Sequence, residues 1–249
     1  MFLACDIGNS NIKAGLFFRN KILESYSFQN LEKLTELYSQ KKISGTGISS
    51  VVPAKSELLI KFLSRKNFSY HLITAASLFN VRINYKTPET LGSDRICSVE
   101  GALVMNGKMK EEEILISIDC GTATTINIIK YPGEFAGGVI GPGFKMLGEA
   151  LHTYTDQLPS VNYSDFEGMI GDSTKSSIAS GIINASAGMI QRVLEFLQST
   201  YQSKKLKIFL TGGNAENIIP YLDFDFIYDK NLVLYGIKAV AELNLPVKP

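Results

Sequence analysis

The stretch Asp6-Ile7-Gly8-Asn9-Ser10-Asn11 recurs later in this chain with the same chemistry, as Asp119-Cys120-Gly121-Thr122-Ala123-Thr124. In both copies an apolar run leads into the aspartate, and a second apolar run follows the small hydroxyl or amide residues. This order predicts a β-hairpin whose turn carries an acid and a glycine. A single Asp-x-Gly is also ordinary turn chemistry. Two copies, however, predict duplicated halves.

The residues of the repeated turn suit a bound nucleotide. Glycine lets backbone N–H groups approach phosphate oxygens closely, and hydroxyl side chains add hydrogen-bond donors. A carboxylate at the end of a strand can hold a cation that accompanies the phosphates. We therefore predict that the two halves hold the phosphates of a nucleotide between them.

The composition is typical of a soluble globular enzyme. The chain has 249 residues, of which 45% are hydrophobic and 20% charged, enough for one large domain or two modest ones. The formal net charge is +1, so the sequence indicates no broad attraction to nucleic acid or to an anionic membrane. No run approaches the roughly 20 apolar residues of a membrane span. We expect neither nucleic acid nor a membrane as a partner.

The histidine and cysteine content argues against several kinds of site. The chain has only two histidines, which is a poor supply for a histidine-based metal centre or for Ser-His-Asp catalysis. Its three cysteines are widely spaced and contain no Cys-x-x-Cys. This pattern favours reduced thiols in a cytoplasmic protein.

The periodicity of apolar residues predicts an α/β fold with a mixed sheet, because helices and strands alternate after a strand-rich start. The predicted strands lie within 2–28, 48–52, 70–74, the second hairpin, the glycine-rich stretch 137–143, and 206–210. The predicted helices lie at 31–38, 58–63, 93–105, 145–152, 178–197 and 232–243. The polar segment 162–172 is predicted to be a loop. Because 107–113 is polar without apolar periodicity, we place a domain boundary there, between 1–110 and 111–249.

Residues 85–95 form a predicted loop that leads into a helix. Its proline and glycines argue against a regular element, and Ser93 is placed as the N-cap of the helix that follows. Asp94 and Arg95 then lie in the first helical turn, where the helix dipole favours an ionised carboxylate. At this point Asp94 could equally cap the helix or act in catalysis. A further loop, 211–214, precedes a helix whose N–H groups could meet a nucleotide.

Taken together, four stretches resemble the type III pantothenate kinases, members of the actin, Hsp70 and sugar kinase superfamily. They are Asp6-Ile7-Gly8-Asn9-Ser10, Gly92-Ser93-Asp94-Arg95, Asp119 to Thr124, and Gly138-Val139-Ile140-Gly141-Pro142-Gly143. The resemblance covers nearly the whole chain, and all four in this order are quite specific. It implies two actin-like (ribonuclease H-like) α/β domains with mixed sheets and a nucleotide cleft between them, and a homodimer. It also implies ATP-dependent phosphorylation of pantothenate at its primary hydroxyl, the first step of coenzyme A biosynthesis.

The resemblance also assigns roles to individual residues. The ATP contacts fall on Asp6, Ile7, Gly8, Asn9, Ser10, Asn11, Ile12 and Lys13, with Thr122 from the second copy. The pantothenate contacts fall on Tyr85, Gly92, Ser93, Asp94, Arg95 and Thr174. Asp94 is the implied base, and Asp119 the implied site of a monovalent cation, K⁺ or NH₄⁺. Serine replaces the family's usual threonine at position 10 and its common alanine at position 93, and neither change threatens the activity.

The chemistry of phosphoryl transfer calls for the same parts, because it depends mainly on positioning and on neutralising charge. Asp6 is expected near the Mg²⁺ that accompanies ATP. An ionised Asp94 can take the proton of the attacking hydroxyl. Arg95 offers a planar fork of donors for the pantothenate carboxylate, but it could instead be a surface arginine paired with Glu100 or Glu89.

Other functions stay open on the sequence alone. A non-catalytic regulatory protein, such as a transcription accessory factor, is one, although the near-zero net charge argues against direct DNA contact. A different kinase of the superfamily, acting on acetate or a sugar, is another, although such enzymes usually have longer chains. A filament-forming actin relative would need more subdomains than 249 residues provide. A dimer could form through the helices at 93–105 and 178–197, or these could pack within the core.

Overall fold

The computed structural model describes residues 1–161 and 168–246, and the chain divides into two compact units. The first unit contains Met1–Glu111, Asn127–Gly137 and the chain from Asn231 onward, and the second contains Glu112–Ile126 and Gly138–Lys230. The predicted boundary after residue 110 lies one residue before the first passage between the units. The predicted division into 1–110 and 111–249 does not include the two later segments that return to the first unit. As a description of the domains it stays a prediction.

Helices and strands follow one another much as the sequence predicts. The strands are β1 (Phe2–Ile7), β2 (Ile12–Phe18), β3 (Lys21–Phe28), β4 (Gly45–Ser50), β5 (Tyr70–Leu72), β6 (Arg82–Ile83), β7 (Glu113–Cys120), β8 (Ala123–Lys130), β9 (Glu134–Pro142), β10 (Lys205–Thr211) and β11 (Ile227–Tyr228). The helices are α1 (Leu31–Gln40), α2 (Pro53–Arg65), α3 (Ser93–Asn106), α4 (Phe144–Thr153), α5 (Thr174–Thr200), α6 (Ala215–Ile218) and α7 (Leu232–Asn244). Short 3₁₀ turns lie at Pro88–Thr90 and Ile219–Tyr221.

The first sheet has the strand order β3-β2-β1-β4-β5. β1 pairs antiparallel with β2, and β2 with β3, whereas β4 runs parallel to β1 and β5 parallel to β4. The apolar run that precedes Asp6 is therefore the central strand of a mixed sheet. Asp6 is the next-to-last residue of β1, so it lies at the carboxyl end of this central strand, next to the turn that joins β1 to β2.

Helices cover both faces of this first sheet. The alternation of Ile12, Ala14 and Leu16 in the sequence predicts that one face of this strand is buried. All three are fully buried on β2, against leucines of α1 and α2. Ala4 and Phe17 lie in a second buried cluster with side chains of α3 and α7. Burying a side chain such as Phe17 stabilises the fold by about 1.5–3 kcal/mol. The central strands β1, β2 and β4 are thus buried on both sides, and it is their ends that are available for a site.

The helix α7 belongs to the first unit because it packs very closely on α3. A methyl group at Gly236 would overlap the carbonyl oxygen of Cys97 on α3. Ile237 and Val240 of α7 are fully buried. Periodicity alone predicts this helix but does not indicate that it packs on residues of the first hundred.

The second sheet has the order β11-β10-β7-β8-β9-β6, and β8 and β9 continue from one unit into the other. β10 runs parallel to both β7 and β11, and β6 runs parallel to β9. Every residue of β7 is buried except Asp119. A strand covered on both faces reads as a nearly continuous apolar run, which is how β7 reads in the sequence.

Some predicted boundaries and faces differ from the structure. The strand predicted at 48–52 runs over Gly45–Ser50, because Pro53 is already the first residue of α2 and Val52 precedes it as the N-cap. The apolar pattern of 178–197 places both Phe196 and Leu197 on the packed face of α5. Leu197 is buried, as is Leu194, but Phe196 is 57% exposed. Part of the loop predicted at 162–172 lies outside the described residues. Within 1–161 and 168–246, no helix combines the length and the hydropathy needed to cross a bilayer.

Candidate active site

The first hairpin turn joins β1 to β2 and carries the segment predicted to contact ATP, residues 6–13. The antiparallel register sets Asp6 opposite Lys13. The Gly8 N–H donates to the Asn11 carbonyl at 3.1 Å and closes the turn. The exposed side chains of the turn are Asn9, Ser10 and Asn11. The structure thus brings the predicted ATP-binding residues of the first copy together in one hairpin, as the sequence indicates.

The second hairpin turn joins β7 to β8 through only two residues, Gly121 and Thr122. The Gly121 N–H donates to the Ala123 carbonyl at 3.1 Å. Asp119 is half-buried at the end of β7, and Thr122 is exposed. Both copies of the motif are therefore strand, turn and strand, and this prediction is confirmed.

Backbone from elsewhere in the second unit holds this second turn. The Gly143 N–H donates to the Thr122 carbonyl at 3.0 Å, and a methyl group at Gly143 would overlap that oxygen and the Gly121 oxygen. The Asn214 side-chain amide donates to the Gly121 carbonyl at 2.9 Å, and its backbone N–H donates to the Cys120 carbonyl at 2.8 Å. The density of glycine at 137–143 predicts a strand that ends in a turn closely approached by another segment, and these contacts confirm that prediction.

The loop between β10 and α6 also requires a glycine beside the second turn. Gly212 has φ 107°, a backbone conformation that residues other than glycine rarely adopt. A methyl group there would overlap the backbone of Cys120. The helix that follows, α6, comprises only Ala215–Ile218. Its predicted contact with a nucleotide stays a prediction.

The start of α3 differs from the sequence prediction. Gly92, not Ser93, occupies the N-cap position, and Ser93 is the first helical residue. The Ser93 hydroxyl lies 3.1 Å from the Ser49 hydroxyl and accepts from the Ser50 N–H at 3.2 Å. The predicted Ser93 cap is therefore wrong, because this hydroxyl is committed to the end of β4. That contact fixes the beginning of α3 against the first sheet.

Asp94 lies in the first turn of α3, as predicted. Its side chain is half-buried, and Oδ1 accepts from the Arg95 N–H at 2.8 Å. The carboxylate therefore lies where the first N–H groups of the helix and the positive end of its dipole are directed. Asp94 can therefore accept a proton or a hydrogen bond from a ligand hydroxyl that approaches the helix.

Arg95 is nearly buried, with 5% of its surface exposed. Its Nε donates to the Asn127 Oδ1 on β8 at 2.8 Å. The guanidinium carbon lies 5.8 Å from the ring centroid of Tyr85 and 5.5 Å from that of Phe135, both within reach of a cation–π interaction. Its Nη2 has no hydrogen-bond partner among the described residues. Such a group is costly to leave unsatisfied, so the arrangement points to a ligand acceptor.

The alternative of a surface arginine paired with a nearby glutamate is wrong. Glu100 is fully buried, and its carboxylate accepts from the backbone N–H groups of Asn80 and Val81 at 2.7 and 2.9 Å. Burial raises the pKa of Glu100, against the opposing effect of these hydrogen bonds. Its role is to hold the segment before β6. Glu89 is exposed and forms no ion pair with Arg95.

Thr174, a predicted pantothenate contact, is the first residue of α5 and belongs to the second unit. Ser173 caps the helix, and its hydroxyl and that of Ser176 form a reciprocal capping box. The Thr174 side chain is exposed. The cap fixes where α5 begins, and so fixes the backbone that carries Thr174.

Each predicted cation site contributes one carboxylate near the end of a strand, Asp6 on β1 and Asp119 on β7. Among the described residues no three His, Cys, Asp or Glu side chains cluster in a way that could hold a metal ion. Asp6 and Asp119 are each half-buried near the carboxyl end of a strand that leads into a turn. Carboxylate and carbonyl oxygens suit hard cations such as Mg²⁺ and K⁺, which also take ligands from water and phosphate. The residues present fit such ions.

Two residues that support the site were missed by the sequence analysis. Asn127 holds Arg95, and Asn214 holds the second turn. A signal for Asn127 exists, because an amide between Ile126 and Ile128 is unusual in a buried strand. Asn214 follows two glycines in a loop, where asparagine is common, so the sequence gives no comparable signal for it.

Sequence comparison relates the chain to one family. A family model described as type III pantothenate kinase matches residues 2–195. A protein of that description from Flavobacterium johnsoniae is 32% identical, over 98% of this chain and 99% of its own. Another, from Thermosipho africanus, is 34% identical over 95% of this chain and 96% of its own.

Structural comparison shows the fold. A Baf family protein from Campylobacter jejuni is 21% identical, with a TM-score of 0.59, and the match covers 96% of each chain. A ROK family glucokinase from Streptomyces griseus, solved with glucose and AMPPNP, is 13% identical, with a TM-score of 0.53 over 97% of this chain and 99% of its own. The predicted fold class, α/β with mixed sheets and two actin-like domains, is confirmed by this likeness to sugar kinases.

Proposed function

The chain belongs to the type III pantothenate kinase family, and we propose that it phosphorylates the primary hydroxyl of pantothenate with ATP as donor. In this family the reaction begins coenzyme A biosynthesis. The observation in this chain that best supports the proposal is the environment of Arg95. Its buried guanidinium has an unpartnered Nη2 and directly follows Asp94 at the start of α3. A proton acceptor and an anion-binding group thus stand side by side, as an acceptor with a hydroxyl and a carboxylate requires.

ATP is bound by both copies of the motif. The first turn, residues 6–13, offers backbone N–H groups and small side chains, and Thr122 adds a hydroxyl from the second turn. Asp6 would hold Mg²⁺ and Asp119 a monovalent cation, K⁺ or NH₄⁺. When bound, these cations supply neutralisation of charge on the transferred phosphoryl group.

Pantothenate is bound at the start of α3 and oriented by its two ends. Arg95 binds the carboxylate through its Nη edge, where two parallel hydrogen bonds are favourable. Asp94 receives the proton of the primary hydroxyl as the phosphoryl group is transferred. The family resemblance assigns further pantothenate contacts to Tyr85, Gly92 and Ser93 of the first unit, and to Thr174 at the start of α5. Correct placement of the hydroxyl contributes most of the rate, because the transfer itself needs little covalent help.

A homodimer is part of the proposal. Three side chains along and just after α4, Met146, Leu151 and Tyr154, are 45%, 37% and 86% exposed. Ile170, shortly before α5, is 88% exposed. A second copy of the chain would bury such apolar surface. A stable monomer in analytical ultracentrifugation at working concentration would contradict this part.

The enzyme is assigned to the cytoplasm, in line with its three free, buried cysteines.

The deciding experiment measures turnover of pantothenate by the purified protein with ATP, Mg²⁺ and K⁺. Asp94→Asn keeps the shape of the side chain and removes its basicity, so kcat should fall by about 10²- to 10⁴-fold while the circular dichroism spectrum is unchanged. Glu89→Gln is the matched control, because it makes the same carboxylate-to-amide change at an exposed position in the segment just before α3. Full activity of the Asp94 variant would remove Asp94 from the role of base. No turnover by the unchanged protein would refute the proposed function.

A further inference from the structure

We infer that Asn127 is the positioning residue of the acceptor site: it orients Arg95 and, being uncharged, leaves the guanidinium charge to be balanced by an anionic acceptor. The inference rests on the proposed function and deepens it. It concerns a residue in the interior of β8 to which neither the sequence analysis nor the family resemblance gives a role.

The geometry around Arg95 fixes which edge of the guanidinium a ligand can reach. Asn127 is fully buried, and its Oδ1 takes the Nε proton at 2.8 Å. The rings of Tyr85 and Phe135 lie 5.6 Å apart and bound the guanidinium. With Nε occupied and the rings in place, Nη2 is the group left without a partner among the described residues. The Nη edge is therefore the one that Asn127 presents to the acceptor.

The acidic side chains near Arg95 are engaged elsewhere. Glu100 accepts from Asn80 and Val81, and Glu134 pairs with the exposed Arg82. Asp94 accepts the backbone N–H of Arg95 itself. In the described part of the chain no carboxylate forms an ion pair with the Arg95 guanidinium.

The neutrality of Asn127 therefore has a consequence for specificity. A buried charge without a counter-charge is costly in the empty protein, and a bound carboxylate removes that cost. An aspartate at position 127 would have almost the same shape but would neutralise Arg95 from within. Asparagine keeps the hydrogen bond that orients the guanidinium and reserves its charge for the ligand. This selects an acceptor with a carboxylate over a neutral acceptor of the same shape.

The test compares two ligands in two variants by calorimetry without ATP, so that binding is measured apart from turnover. The ligands are pantothenate and its primary amide, which keeps the hydroxyls and lacks the charge. Asn127→Asp should weaken pantothenate binding by about 10- to 100-fold, as expected for a lost charge-assisted hydrogen bond. The amide should be affected by less than about threefold, because it carries no charge to lose.

Asn127→Leu is the control for a structural role, because it removes the hydrogen bond without adding charge. It should weaken pantothenate binding several-fold, and the acid should still bind better than the amide. The inference is overturned if Asn127→Asp still binds pantothenate better than the amide by the original factor. It is also overturned if Asn127→Asp and Asn127→Leu lose this preference to the same extent. If the aspartate variant does not fold, the leucine variant decides. A raised KM for pantothenate at an unchanged KM for ATP would support the role of Asn127. An unchanged KM for pantothenate would overturn that role.

The same series separates the inference from the proposed function. Turnover of pantothenate by the unchanged protein, together with an unaltered preference in Asn127→Asp, would overturn only the role of Asn127. Failure of the unchanged protein to bind or phosphorylate pantothenate would overturn both.

Discussion

The turn of the first hairpin comprises four residues, 8–11, and three of its side chains are exposed, whereas the turn of the second comprises Gly121 and Thr122 and is held by other backbone segments. Gly8 is bonded within its own turn, to Asn11. Gly121 and Thr122 instead accept hydrogen bonds from Asn214 and Gly143. The repeated motif thus has one chemistry and two kinds of support.

The difference shows that a motif sets the chemistry of a turn but not its rigidity. In the first turn the conformation is set by β1, β2 and a local hydrogen bond, so the exposed side chains of Asn9 and Asn11 can rearrange around a ligand at little cost. In the second turn, hydrogen bonds from Gly143 and Asn214 hold the backbone carbonyls on two sides, so the backbone of this turn cannot rearrange. We therefore expect substitutions near the second turn to act mainly on stability, and those in the first turn to act mainly on ATP binding.

The largest expected effect is that of Gly212→Ala, which tests whether the second turn is rigidly held. The new methyl group would overlap the backbone of Cys120, at a φ of 107° that favours glycine. Strain and overpacking together should lower the free energy of unfolding by about 3 kcal/mol or more in urea titration. Gly213→Ala is the control, since no atom lies within 4 Å of its added methyl group. Equal stability of the two variants would contradict the rigid support.

Exchanging the two aspartates for asparagine tests whether the copies have separate tasks. Asp6→Asn and Asp119→Asn should each lower kcat/KM by roughly 100-fold, since each removes the carboxylate proposed to hold a cation that neutralises the developing phosphoryl charge. The Asp6 variant should need more Mg²⁺, and the Asp119 variant should lose its response to K⁺. Initial rates over a grid of both cations would show this. If both variants respond to both cations alike, the two copies are not differentiated as proposed.

A smaller effect is expected for Asn214→Ala, which removes the side-chain bond to the Gly121 carbonyl. One lost hydrogen bond of this kind should lower the free energy of unfolding by about 1 kcal/mol. Asn9→Ala in the exposed first turn should change it by less than about 0.5 kcal/mol. Urea titrations of both variants compare the turns directly. A larger loss at Asn9 than at Asn214 would reverse the comparison.

The smallest effect concerns the cysteine beside each aspartate, Cys5 and Cys120. Burial, and secondarily Asp119, raises the pKa of Cys120 to about 12, and burial with Asp6 raises the pKa of Cys5 as well. Since a thiol reacts as its thiolate, and each raised pKa keeps the thiol protonated, the native protein should resist alkylation at about pH 8. All three thiols should react after denaturation, as counted by mass spectrometry. Labelling of native Cys5 before Cys120 would contradict the complete burial of Cys5.

Much of the local structure follows from periodicity, and the site follows partly from it. Two predictions that rest on short-range patterns are confirmed. One is the buried face formed by Ile12, Ala14 and Leu16, and the other is the close backbone contact at the end of the glycine-rich stretch 137–143. The position of Ser93 is a different case. A serine before an apolar helix usually caps it, but here its hydroxyl is bound to Ser49 and Ser50 of β4. That partner lies more than forty residues away in the sequence, so a local rule cannot find it.

The surroundings of Arg95 could not be predicted for the same reason. Whether an arginine after an aspartate is exposed or buried depends on Tyr85, Asn127 and Phe135, which come from three other segments. The return of 127–137 to the first unit is what places Asn127 and Phe135 there. A pattern within one helix carries no information on such pairings, which depend on how the sheets form.

The attachment of α7 to the first unit has a consequence for synthesis. The unit that starts at Met1 gains its last helix, Leu232–Asn244, only after the second unit has been made. At roughly 5–20 residues per second, β1 and β2 wait on the order of ten seconds for that helix. Until then the sheet face with Ala4 and Phe17 lacks Ile237 and Val240, so a chaperone or another nascent chain can reach it. The order in which the ribosome delivers the two units is therefore the reverse of the order in which they can be completed.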